Sequence, residues 1–102
     1  MIREAIPADG RPKIASRARL QTDRVSGKPM LLYPEGVLVL NPTGLAIVTL
    51  CTGETALQDM VAKLAARYHV EPSEITGEVV EYLERLRARN LLEVLVEGPG
   101  RQ

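Results

Sequence analysis

LLYPEGVLVLNPTG, running from Leu31 to Gly44, decides how this chain folds. Leu31, Leu32 and Tyr33 are strand formers, Pro34 presets φ for the first turn position, and Gly36 offers the left-handed conformation that a three-residue hairpin loop needs. Val37 to Leu40 then makes a second strand. Asn41 offers a side-chain acceptor to a free helix amide, and Pro42 suits the first helical position, where no N–H partner is lost. The stretch predicts a hairpin that feeds directly into a helix, with the working surface on that hairpin and the helices packed against it.

Upstream, Ala18, Leu20 and Thr22 alternate with Arg17, Arg19, Gln21 and Asp23, and this period of two predicts a half-buried strand between Arg17 and Val25. Ser26-Gly27-Lys28 turns it into the hairpin, giving three sequential strands in an antiparallel meander with two open edges. Met1 to Lys13 contains Pro7, Gly10 and Pro12 without an apolar period and reads as a flexible lead-in.

Downstream, Ile47, Val48, Thr49 and Leu50 have strand propensity, but the Asn41-Pro42 start and the Gly53 stop favour a short apolar helix. Thr55 and Gln58 have the T-x-x-Q spacing of a capping box, and Leu57, Met60, Val61, Leu64, Ala65 and Tyr68 follow at helical spacing. Pro72 opens a third helix whose stripe is Ile75, Val79, Leu83 and Leu86, with Val80 and Tyr82 flanking it; Val70 is placed to staple onto Ile75. Glu81 and Arg85 make a favourable i,i+4 pair. Asn90 suits a left-handed cap, after which Leu91, Leu92 and Val94 form a short strand or pack back as a tail.

Strands first and helices second define an α+β domain with helices on one face of a small antiparallel sheet. Its expected extent is residues 14–96, between a flexible N-terminus, 1–13, and a disordered tail, 97–102.

Composition narrows the function. The 102 residues suffice for one domain, and the 13 basic and 13 acidic side chains cancel, so no global field attracts nucleic acid or an anionic membrane. Charge is uneven along the chain: Met1 to Lys28 holds seven basic residues against three acidic ones, a net charge of +4. One cysteine, Cys51, forbids an internal disulfide, and no apolar run approaches the roughly 18 residues of a membrane span, so a cytoplasmic location is expected.

Reactive groups are sparse. His69, the single histidine, falls near a helix C-terminus, and Cys51 lies eighteen residues away from it, so the chain lacks a zinc or iron–sulfur ligand set. No Walker, dinucleotide or G-x-S-x-G pattern is present. The alternative of a winged-helix nucleic-acid-binding protein meets an obstacle in Glu71 to Arg89, where five glutamates against three arginines leave a net charge of −2 on the helix that would read DNA. What remains is capture of a peptide as an added strand on an open sheet edge, its alternate side chains entering an apolar groove.

The residues carry a resemblance that sharpens this. LLYPEGVLVLN, the preceding RARLQTDRVSGKPM, LCTGETAL around Gly53 and LERLRARNLLEV together resemble the PqqD family of pyrroloquinoline quinone (PQQ) biosynthesis, from about Pro12 to Val94. The resemblance implies a winged-helix-like fold of the RiPP recognition element type and a non-catalytic peptide chaperone. Such a protein binds the ribosomal precursor peptide PqqA and presents it to PqqE, a radical S-adenosylmethionine enzyme that owns the clusters and the cofactor. It also implies that Val37, Leu38, Val39 and Leu40 supply backbone groups to the peptide, and that residues of Ile75, Val79, Leu83 and Leu86 wall the groove. Arg85 and Arg89 on its flank are the candidates for peptide carboxylates. A monomer in solution is expected, with strand exchange into a dimer allowed by the open edge, and the +4 N-terminal region is a first guess for the surface facing the enzyme.

Overall fold

The computed structural model describes residues 5–96, in the order β1 (Arg11–Ile14), β2 (Arg19–Thr22), β3 (Pro29–Tyr33), β4 (Gly36–Val39), α1 (Pro42–Thr49), α2 (Leu57–Tyr68), α3 (Pro72–Ala88) and β5 (Leu92–Leu95). β2, β3 and β4 form an antiparallel sheet in that order, followed by the three helices, so the α+β class is the one observed. The tail 97–102 and the first four residues lie outside the described part of the chain.

The hairpin forms where the sequence places it but with a tighter loop. Tyr33 pairs with Gly36, leaving only Pro34 and Glu35 in the turn, and Gly36 does not take a positive φ; among the described glycines Gly27 and Gly53 do. Asn41 caps α1 as expected, its side-chain oxygen accepting the Gly44 N–H at 2.6 Å, with Pro42 in the first turn. The helix stops at Thr49, before Gly53.

Three expectations fail, on β2, on the cap of α2 and on the N-terminal segment. All four residues of β2 are exposed, Leu20 at 45%, although its partner Leu31 is fully buried. The alternation is real, but the inner face of β2 is only partly covered, and it is the neighbouring Ala18 that reaches the core. The T-x-x-Q box is also not formed: the N-cap of α2 is Ala56, without a side-chain cap.

The two free amides at the start of α2 are satisfied instead by the segment read as a flexible lead-in. Leu57 N–H donates to the Gly10 carbonyl at 2.8 Å and Gln58 N–H to the Ala8 carbonyl at 3.0 Å. β1 then pairs antiparallel with β5 in a second, two-stranded sheet, and on its other side Ile14 N–H donates to Cys51 O and Gly53 N–H donates to Pro12 O. Ile6 and Pro12 are buried. The packed body therefore begins well before residue 14. Pro7, Gly10 and Pro12 are there for shape: Gly10 N–H closes a turn onto Pro7 O, and a Cβ at Gly10 would meet Val94 Cγ1 at 2.9 Å.

The ends of α2 and α3 follow the sequence. His69 takes the left-handed cap of α2 (φ 59) and Asn90 the left-handed position after α3 (φ 62), where Leu91 N–H returns to Leu86 O. Each is a helix stop. Leu31, Ile47, Met60, Leu83, Leu86 and Leu91 form the fully buried centre between sheet and helices.

Candidate functional site

β4 is an edge strand, and its pairing with β3 determines which backbone groups remain free. Leu40 N–H donates to Pro29 O just beyond the strand, and Tyr33 faces Gly36 across the turn. Antiparallel pairs alternate between bonded and non-bonded, so Leu38, opposite Leu31, is also turned toward β3. Val37 and Val39 are thus the residues whose N–H and C=O point away from the sheet. Their side chains, 52% and 56% exposed, lie on the outer face with Leu32 and Met30 opposite them.

Leu38 points the other way, toward α3. Between them lies a groove of about 300 Å³ lined by Leu38, Tyr82, Arg85, Leu86, Ala88 and Arg89. Its base is apolar. Tyr82 is half-buried, and its phenol is pushed above the usual range by burial and by Cys51, with Arg85 and Arg89 pulling it back in part. The rim is cationic. Arg85 makes only a loose, solvent-exposed contact with Glu81 at 3.8 Å, worth little in water, so its charge is available to a ligand.

Of the residues singled out in the sequence, the groove brings together Leu38, Arg85, Leu86 and Arg89, with Val37 and Val39 on the adjoining edge. Leu40, Val79, Leu83 and Leu86 are 3%, 3%, 0% and 1% exposed and belong to the core; of these four Leu86 also lines the groove, as part of its floor. Ile75 is elsewhere, in a separate pocket of about 210 Å³ with Ile47, Leu64, Tyr68 and Val70 at the opposite end of α3. The reason is helical geometry: Ile75, Val79, Leu83 and Leu86 form the stripe that packs inward, while the row beside it faces the sheet edge. That row, Tyr82, Arg85, Leu86 and Arg89, stands at i, i+3, i+4 and i+7 and shares Leu86 with the inward stripe. Sequence reasoning misses Tyr82 and Ala88 as groove residues because the more apolar stripe is the stronger signal.

Cys51 is buried, its thiol donating to Ile47 O at 3.3 Å and pushed up to about 12 by burial, which keeps it protonated and unreactive at neutral pH. The described residues contain no cluster of three or more His, Cys, Asp or Glu placed to hold a metal ion, and no helix long and apolar enough to cross a membrane.

The fold is similar to that of a RiPP recognition element. The solution structure of the PqqD truncation of Methylobacterium extorquens PqqCD, described as a functional and stand-alone recognition element, matches 87% of this chain and 95% of its own at a TM-score of 0.72 and 27% identity. The crystal structure of PqqD from Xanthomonas campestris matches 91% of this chain and 98% of its own, at a TM-score of 0.55 and 30% identity. Residues 30–92 match the profile of the family described as Coenzyme PQQ synthesis protein D (PqqD). The chain belongs to that family. Among its curated relatives, the PqqA binding protein of Xanthomonas oryzae pv. oryzae strain PXO99A is 31% identical over 86% of this chain and 96% of its own length. The PqqA binding protein of Methylococcus capsulatus is 39% identical over 65% of this chain and 69% of its own.

Proposed function

We propose that this protein is a non-catalytic peptide chaperone of PQQ biosynthesis, which takes the precursor peptide PqqA as a strand added to β4 and presents it to the radical S-adenosylmethionine enzyme PqqE. The observation that carries the reading is the free edge of β4 beside the groove under α3. A peptide laid along Val37 and Val39 gains four main-chain hydrogen bonds, and every second side chain drops between Leu38 and Leu86. Arg85 and Arg89 receive carboxylates of the peptide at the rim. The names of the relatives, PqqA binding proteins, support the identity of the peptide. The role of PqqE rests on the family resemblance, as does the assignment of radical chemistry to that partner.

The working form is a monomer, because a second copy paired on β4 would occupy the edge the peptide needs. Its place is the cytoplasm, where a ribosomal precursor is made. Calorimetric titration of synthetic PqqA into the protein, and then of PqqE into the complex, tests both halves. The expected result is saturable binding of peptide and a stable ternary complex. Binding of PqqE that displaces the peptide would contradict presentation.

A further inference from the structure

α1 approaches a residue of the groove closely at Gly44. The phenol of Tyr82 reaches from α3 to the first turn of α1, where a Cβ placed on Gly44 would come within 2.5 Å of its hydroxyl oxygen and 2.9 Å of Cζ. No real Cβ tolerates such distances, so a side chain at this position requires the ring to move. α3 itself is held in place, since Val79, one turn before Tyr82, and Leu83, next after it, are 3% and 0% exposed. Gly44 is likewise buried and fixed by its N–H bond to Asn41. The groove that the ring lines with Leu38 and Leu86 lies directly beside it and is open to receive it.

We propose that Gly44 and Tyr82 together set the width of the peptide groove: the missing side chain at Gly44 lets the phenol lie back against α1, and the ring so placed selects which apolar side chain of the added strand fits beside Leu38. This rests on the reading that the groove takes the peptide. Gly77 provides the contrast, because it also lies within a helix but a Cβ there meets nothing within 4 Å. Gly44 is thus held by a neighbour, and Gly77 is not.

The test uses the full chain and synthetic PqqA, with affinity from titration and folding from thermal unfolding. Gly44→Ala is expected to weaken binding by about tenfold or more, and Gly77→Ala to leave it unchanged. Tyr82→Leu removes the ring that the added methyl group displaces, so the double variant Gly44→Ala/Tyr82→Leu is expected to bind within about threefold of Tyr82→Leu alone. Independent losses that multiply in the double variant, or wild-type affinity in Gly44→Ala, would overturn the proposal. Should Gly44→Ala fail to fold, Tyr82→Leu decides alone against PqqA peptides whose apolar residues are enlarged to Phe one at a time. It is expected to favour one enlarged peptide by about fivefold relative to wild type, and unchanged selectivity would overturn the proposal. Absence of PqqA binding to the wild-type groove would instead remove the reading on which it rests, and the proposal with it.

Discussion

β2 and β4 flank the same central strand, and each leaves the backbone of two residues unpaired: Leu20 and Thr22 on β2, Val37 and Val39 on β4. As hydrogen-bonding templates the two edges are equivalent. They differ in what stands beside them. β2 is exposed along its whole length, and the depression at its start is lined by Arg17, whose guanidinium is already paired with Glu35 at the hairpin turn. β4 has α3 alongside, with an apolar base at Leu38 and Leu86 and the cations of Arg85 and Arg89 above it. A peptide on β2 would meet, besides main-chain bonds, a depression of mixed lining in which Ala18, Leu32 and Tyr33 stand among Ser16, Arg17 and Arg19; on β4 it would meet the groove under α3, with its apolar base and cationic rim. Net main-chain bonds contribute only about 1 kcal/mol each, so the buried side chains, at about 2 kcal/mol each, decide the edge.

The largest effect should come from the strand both edges share. Leu31→Ala removes a fully buried side chain and is expected to lower unfolding stability by about 2–5 kcal/mol in denaturant titration, undermining both edges together. Separating the edges takes a backbone change. Val39→Pro deletes an outward N–H that no ladder bond uses, so the fold should persist while PqqA affinity falls by at least about 30-fold, or some 2 kcal/mol. Thr22→Pro, the matching change on β2, should leave affinity within about twofold, and equal losses from the two would erase the distinction.

Packing behind the β4 groove has its own reporter in Cys51. Its thiol is raised from 9.0 to about 12, so the folded state holds a proton that the unfolded chain releases. Its contribution to stability is complete below about pH 9 and declines as pH rises toward 12, at up to about 1.4 kcal/mol per pH unit. Cys51→Ala should lack this slope in urea titrations, and rapid labelling of Cys51 by a thiol reagent at pH 7 would show that the region is open. The smallest effect is at the rim: Arg85→Gln and Arg89→Gln should each weaken PqqA binding about threefold at low salt, because exposed ion pairs contribute about 0.2–1 kcal/mol. Arg19→Gln, on the β2 side, should change nothing.

How far the sequence carries this can be read at particular residues. Asn41-Pro42, Pro72 and Asn90 act through local geometry, so the helix boundaries they mark are legible. The hairpin is legible for the same reason, though Tyr33 to Gly36 closes more tightly than the loop expected. β1 is not, because its partners Leu92–Leu95 and Cys51–Gly53 are distant in sequence, and Pro7, Gly10 and Pro12 look alike in a flexible tail and in a buried turn. Leu20 fails in the opposite sense, since alternation says which face a residue takes but not whether anything covers that face. At the site, the β4 edge and the two arginines are candidates from the family resemblance, and Arg85 and Arg89 do stand on the groove beside Leu38. The division of α3 into a core stripe and a groove row needs the helix's rotation against the sheet, which no single stretch encodes.

The preference for β4 over β2 is tested most directly by an amide chemical-shift titration of the isotope-labelled protein with synthetic PqqA. The expected result is saturating change at Val37, Val39 and Tyr82 through Arg89, with Leu20 and Thr22 unmoved. Change centred on Leu20 and Thr22, or none along β4, would contradict it.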